Sequence, residues 1–165
     1  MILKNGVFLN DGFRFEKGDV SFSENGIEKL GDCGNGGEVY DCTDRYIVPG
    51  FVDIHTHGCV GVDASDGASV EEYEKMLCHY AAHGVTTVLP STETLSPEKT
   101  MRAVKALAKA AHSDIKGANI GGIHLEGPYF SYRYRGAQNE AHLRNPDIDE
   151  VNRLNEACGY IIRRI

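Results

Sequence analysis

The stretch Pro49-Gly50-Phe51-Val52-Asp53-Ile54-His55-Thr56-His57-Gly58 constrains this chain more than any other. Phe51, Val52 and Ile54 give it the character of a buried strand, and Pro49-Gly50 punctuates its start. Side chains alternate across a strand with a period of two, so His55 and His57 fall on one face, one pleat apart. Two neutral imidazoles held that way can share a divalent ion. A bare His-x-His is a weak signal, because structural and surface histidines have the same spacing. Its place strengthens it. The pair closes the C-terminal end of an apolar strand, where parallel α/β folds put their chemistry. Gly58 follows at once, as in a loop that must keep close to something.

From Pro49 onward the sequence alternates strand with helix. Ser69-Val70-Glu71-Glu72 is a capping box, and Val70, Tyr73, Leu77, Tyr80 and Ala81 recur at helical spacing up to Gly84. A β-branched strand over 85–90 is bounded by Gly84 and Pro90. Ser96-Pro97-Glu98 starts a second helix with proline at its first position, and Met101, Val104, Ala108 and Ala111 form its apolar stripe. A third strand is expected from Ile120 to Leu125, with Gly121-Gly122 allowing close packing. A polar loop follows, then a helix opened by Asp147 with Val151, Leu154 and Cys158 inward. Gly159 stops it, and Tyr160-Ile161-Ile162 begins a fourth strand. This rhythm predicts a parallel sheet with right-handed crossovers.

Before Pro49 the pattern differs. Short apolar pieces at 2–3, 7–9, 20–22 and 27 are separated by the turn signals Asn10-Asp11-Gly12 and Asn25-Gly26. The cluster Gly34-Asn35-Gly36-Gly37 is a turn and completes no dinucleotide fingerprint. The chain therefore divides at residues 1–48 and 49–165.

Glu126 closes the third strand. A carboxylate there is costly unless it is paired or metal-bound, and its position lets it face the same end of the sheet as His55 and His57. A loop or cap carboxylate is the other reading of the residues alone. His124, two residues earlier, lies on the same face one layer deeper and reads as a buried histidine bonded to a neighbouring strand. Asp63 and Asp66 read as organisers of the first loop through bonds to the backbone.

The chain has 165 residues, 41% of them hydrophobic, enough for a real core. A complete (β/α)8 barrel needs about 250. A net charge of −7 argues against a nucleic-acid surface. The five cysteines are odd in number and form no Cys-x-x-Cys pair, which argues against a disulfide framework or a zinc ribbon and suits the reducing cytoplasm. No apolar run approaches the roughly 20 residues of a membrane helix. Neither nucleic acid nor membrane is expected as a partner.

PGFVDIHTHG resembles the first barrel strand of the amidohydrolase superfamily. Gly122-Ile123-His124-Leu125-Glu126-Gly127-Pro128 and Arg135-Gly136-Ala137-Gln138 narrow the likeness to the N-acetylglucosamine-6-phosphate deacetylase family, and it runs from the first strand to the last helix. The resemblance implies α/β architecture: a small β-sandwich segment followed by strands one to four of a (β/α)8 metal-dependent barrel. It implies hydrolysis of the acetamide of N-acetylglucosamine 6-phosphate to acetate and glucosamine 6-phosphate. It implies a divalent metal, zinc or iron, on Glu126, with His55 and His57 holding a second ion where one is present. Ala137 and Gln138 match the loop over the sugar. The family's two further histidine ligands and its proton-shuttling aspartate belong to later strands, beyond Ile165. No catalytic residue is therefore expected in residues 1–165, and this stretch alone is expected to be inactive and poorly stable. The resemblance also implies a homodimer for the full-length protein. Two other readings stay open: a non-catalytic half-barrel that pairs with another chain, and a superfamily member acting on a cyclic amide, which the HLEGP and GAQ segments disfavour.

Overall fold

The turn signals fold the first strands back on one another. In the computed structural model, which describes residues 1–165, Asn10 Oδ1 accepts the amides of Gly12 and Arg14 and so closes the first hairpin. Strand β1 (Ile2–Leu9) pairs antiparallel with β2 (Phe15–Ser23), which pairs antiparallel with β3 (Gly26–Gly31). Two short strands, β4 (Val39–Asp41) and β5 (Tyr46–Ile47), run parallel to β1 along its other edge. These residues supply one five-stranded sheet, and a sandwich needs a second layer. Ile2, Phe8 and Val20 are its only buried hydrophobic side chains. Residues Met1–Pro49 form one compact unit and Gly50–Ile165 a second.

The second unit follows the strand–helix rhythm. Strand β6 (Phe51–Thr56) leads into a small hairpin of β7 (Gly58–Cys59) and β8 (Val62–Asp63). Then come α1 (Val70–Ala82), β9 (Val85–Thr92), α2 (Pro97–Ala111), β10 (Asn119–Ile120), β11 (Ile123–Leu125), α3 (Ile148–Ala157) and β12 (Ile162–Arg164). All pairings of the main sheet are parallel. Residues 87 and 88 of β9 face both β6 and β10, so those two strands flank it. The local signals act as expected. Ser69 and Glu72 make both halves of the capping box, Ser96 caps α2 with Pro97 in its first turn, and Asp147 caps α3. Asp63 Oδ1 accepts the amide of Ser65. Tyr73, Met76 and Leu77 from α1 pack with Val104, Leu107, Leu154, Val88, Ile123 and Leu125 as a continuous core. Each such side chain contributes about 1.5–3 kcal/mol on burial.

Several expectations need correction. The first strand is not buried: Phe51, Val52 and Ile54 are 59%, 60% and 52% exposed. It pairs only with β9, so its other edge and much of its apolar surface meet solvent. Pro90 does not end β9, which continues through Thr92. The β6–β9 register slips between Asp53 and Thr56, and Thr56 donates its amide to Ser91 Oγ, so the ladder asks no N–H of the proline. The third strand is broken at Gly121-Gly122 into β10 and β11. At Gly122 a Cβ would lie 2.8 Å from the carbonyl oxygen of Ile161, so the close packing expected of this pair is met against the segment leading into β12. That strand begins at Ile162, because Tyr160 takes a φ of 62°. On α1 Ala81 is exposed and Met76 is buried in its place.

Candidate metal centre

The period-two argument holds at the end of β6. Thr56 points one way, its hydroxyl bonded to that of Tyr80 on α1. His55 and His57 point the other way, their Nε2 atoms 3.3 Å apart. Glu126 follows β11 directly, and its Oε2 lies 3.2 Å from Nε2 of His55 and 2.9 Å from Nε2 of His57. All three ligand atoms fall within 4.8 Å of one another.

Distance and direction disagree at this triad, and the disagreement is informative. The contacts are short enough for ion pairs. Yet Glu126 Oε2 is out of solvent and has no hydrogen-bond partner. His57 Nδ1 lies 3.0 Å from the carbonyl oxygen of Ser91, which can only accept, so Nδ1 carries the proton that donates there. The Nε2 lone pair is then free to face the carboxylate. A lone pair and a carboxylate oxygen in such contact repel unless a proton or a metal cation lies between them. Ligand bonds of about 2.0–2.2 Å at roughly 90–110° would hold donor atoms about 2.8–3.6 Å apart, and the three observed separations lie in that window. The donor set fits a divalent ion.

The surroundings brace the pair. Ser91 is fully buried and its Oγ lies 2.9 Å from His124 Nδ1. The His124 ring meets that of His55 edge-on, centroids 4.9 Å apart. Burial first, then the nearby Arg164 and His55 charges, hold the His124 imidazole below its ordinary pKa and so favour the neutral ring. Asp53 Oδ1 accepts the amide of His55. Gly58 is required here by the chain's own return: it has φ 130°, and a Cβ would collide with the carbonyl oxygen of Val62 in the β7–β8 hairpin.

A cavity of about 420 Å³ opens against two members of the triad, lined by His55, His124, Glu126, Gly127, Tyr129, Phe130, Arg164 and Ile165. Neither Ala137 nor Gln138 lines it. Gln138 Oε1 takes the amide of Thr94 at 2.7 Å, which ties the loop to the end of β9. Arg135 is bound within that loop, to Glu140 at 2.6 Å and to the carbonyls of Gly136 and Gln138. Arg133 lies over the Tyr134 ring. Behind the loop, Arg144 grips Glu150 with two bonds of 2.9 and 2.6 Å, and Tyr129 donates its hydroxyl to the same carboxylate. Sequence reasoning missed Ser91 and Arg164. Arg164 ends β12, so the position rule that found Glu126 would have found it had the bounds of β12 been right; Ser91, the last residue but one of β9, offers no such signal.

A model of the amidohydrolase family matches residues 46–157. The chain belongs to the amidohydrolase family. Within that family it is 36% identical to the human N-acetylglucosamine-6-phosphate deacetylase over 124 residues, 72% of this chain and 29% of that protein. The crystal structure of the N-acetyl-D-glucosamine-6-phosphate deacetylase of Mycobacterium smegmatis matches with a TM-score of 0.84 at 30% identity, over 99% of this chain and 45% of that one. A mutant of the same enzyme in complex with N-acetyl-D-glucosamine-6-phosphate matches with a TM-score of 0.80 at 30% identity, over 99% and 42% of the two chains. This member of the amidohydrolases thus spans under half the length of these relatives, and its five-stranded parallel sheet belongs to the matched part of their fold.

Proposed function

We propose that this chain supplies the metal-holding wall of a hydrolase that removes the acetyl group from N-acetylglucosamine 6-phosphate. The observation that carries the reading is the convergence of His55 Nε2, His57 Nε2 and Glu126 Oε2 at one end of a parallel sheet. The names of its relatives and the mutant complex support the substrate.

The chemistry that a divalent ion supplies when bound there is polarisation of the acetamide carbonyl. The chain's own groups do the rest of this wall's work. Donation of the Nδ1 proton to Ser91 keeps the Nε2 lone pair of His57 aimed inward. Glu126 brings one negative charge at the end of β11. Tyr129 and Phe130 cover one side and limit water, and Arg164 gives positive charge to the cavity. Gln138 engages both main-chain groups with Arg135, accepting at its carbonyl and donating its amide, while its Oε1 accepts the amide of Thr94. The main-chain groups of Ala137 make no such bond, and that residue is exposed, so Ala137 is the part of the loop that can meet a sugar. Glu126 is the only carboxylate side chain lining the cavity. With Glu126 as the ligand, the cavity wall offers no second carboxylate side chain to take the proton of an attacking water.

The test is acetate release from N-acetylglucosamine 6-phosphate with added zinc, iron or cobalt. It is run with residues 1–165 alone and with the complementary C-terminal portion of the M. smegmatis enzyme. Release that needs metal and is lost in Glu126→Ala supports the reading. Release that persists without metal, or unchanged in Glu126→Ala, overturns it.

A further inference from the structure

Ser91 lies at the end of β9, between the strand that carries the histidine pair and the strand that leads to Glu126. It is completely buried; its carbonyl and its hydroxyl both bond to those neighbours, and the hydroxyl also donates to the carbonyl of Leu89 on its own strand at 3.4 Å. Its carbonyl oxygen accepts the Nδ1 proton of His57 at 3.0 Å. Its hydroxyl accepts the amide of Thr56, the residue between the two histidines, at 3.2 Å. The same hydroxyl meets Nδ1 of His124 at 2.9 Å. His124 in turn packs its ring against His55. The orientation of both histidines therefore passes through one small side chain and its carbonyl.

We propose that Ser91 is a positioning residue for the metal site: it orients His57 through its carbonyl and, through its hydroxyl, holds the Thr56 amide and the His124 ring on which His55 leans. The inference rests on the metal-binding reading of the triad. It assigns to an uncharged strand residue the outer-partner part that carboxylates usually play for ligating histidines. A hydroxyl suits the place because it accepts from an amide and still bonds an imidazole nitrogen. Alanine keeps the carbonyl and the strand but loses both hydroxyl bonds. Threonine keeps them.

The experiment is cobalt and zinc titration of residues 1–165 and of the Ser91→Ala, Ser91→Thr and His124→Phe variants. Calorimetry gives affinity, and the visible cobalt spectrum reports ligand geometry. Thermal unfolding without metal is measured in parallel. Ser91→Ala is expected to lose about 10–100-fold in affinity, the range typical for an outer partner, and to alter the cobalt bands. Ser91→Thr should recover both. His124→Phe keeps a ring against His55 but breaks the bond to Ser91, so a partial loss is expected, and it tests the same link should Ser91→Ala not fold. Wild-type affinity and spectrum in Ser91→Ala or, where that variant does not fold, in His124→Phe overturn the inference. So does a Ser91→Thr variant as impaired as a folded Ser91→Ala, since volume and not the hydroxyl would then be at issue. Failure of the unaltered chain to bind either ion sinks the metal reading itself and is distinguishable from these.

Discussion

Glu126 Oε2 lies 2.9 Å from His57 Nε2, although their strands never pair with each other. Strand β9 stands between β6 and β11, and the two side chains reach across its end. The triad therefore depends on three strands keeping register, and on none of them alone.

If the triad holds an ion, Glu126→Gln should weaken zinc binding by more than the roughly 10–100-fold typical of an outer partner, because it removes a ligand and its charge. His57→Ala should do the same. Metal content after dialysis, measured by mass spectrometry, checks this. Equal metal in Glu126→Gln and the unaltered chain would show that the carboxylate is not a ligand.

The Arg144–Glu150 pair ties the loop behind the cavity to α3. Glu150 keeps only 10% of its side chain exposed and Arg144 22%. Breaking a buried pair by removing one partner costs about 3–5 kcal/mol. With Arg144 partly in water, Arg144→Met is expected near the low end. Urea unfolding at neutral pH measures it, and a loss under about 1 kcal/mol would place the pair with exposed bridges.

That pair also sets a pH dependence. Bonding to Arg144 holds the Glu150 carboxyl below its usual range, against burial, with the Tyr129 bond assisting. The Tyr129 hydroxyl is pushed up to about 12 by burial and by that same bond. A lowered native value means that the contribution is complete above the unfolded value of about 4.3 and fades as pH falls through the native one. The stability gap between the unaltered chain and Glu150→Gln should be full at pH 7 and shrink below about pH 4.3. A gap that widens on acidification would contradict the sign.

Ser69→Ala should cost about 1 kcal/mol, the usual loss for an N-cap hydroxyl. Here the hydroxyl accepts the Glu72 amide at 3.2 Å, while Glu72 returns a bond of 2.8 Å to the Ser69 amide. Thermal unfolding of the pair of variants Ser69→Ala and Ser69→Asp tests it, since aspartate can cap the helix and alanine cannot.

Val52 and Ile54 look like core residues in the sequence but stand more than half exposed. Val52→Thr and Ile54→Thr in residues 1–165 should each change stability by no more than about 0.5 kcal/mol, as exposed substitutions do. Leu107→Ala, fully buried on α2, should cost about 2–5 kcal/mol. Equal losses at the three positions would mean that β6 is covered.

What the sequence determined by itself is what local rules decide. The capping box, Pro97 in the first turn of α2, and the placement of His55 and His57 on one face all follow from spacing within a few residues. The alternation of strand and helix follows from patterns of a dozen residues or so. Only the tertiary structure decided the rest, because it depends on neighbours far along the chain. Whether Phe51, Val52 and Ile54 are buried is settled by how many strands flank β6. Where Pro90 stands relative to the end of β9 is settled by a slipped register, in which the ladder does not need the proline's missing N–H. Ser91 carries no signal of its own. It acquires its place because β9 sets its hydroxyl and carbonyl between Thr56, His57 and His124, an arrangement that hydrogen-bond direction and strand register fix together.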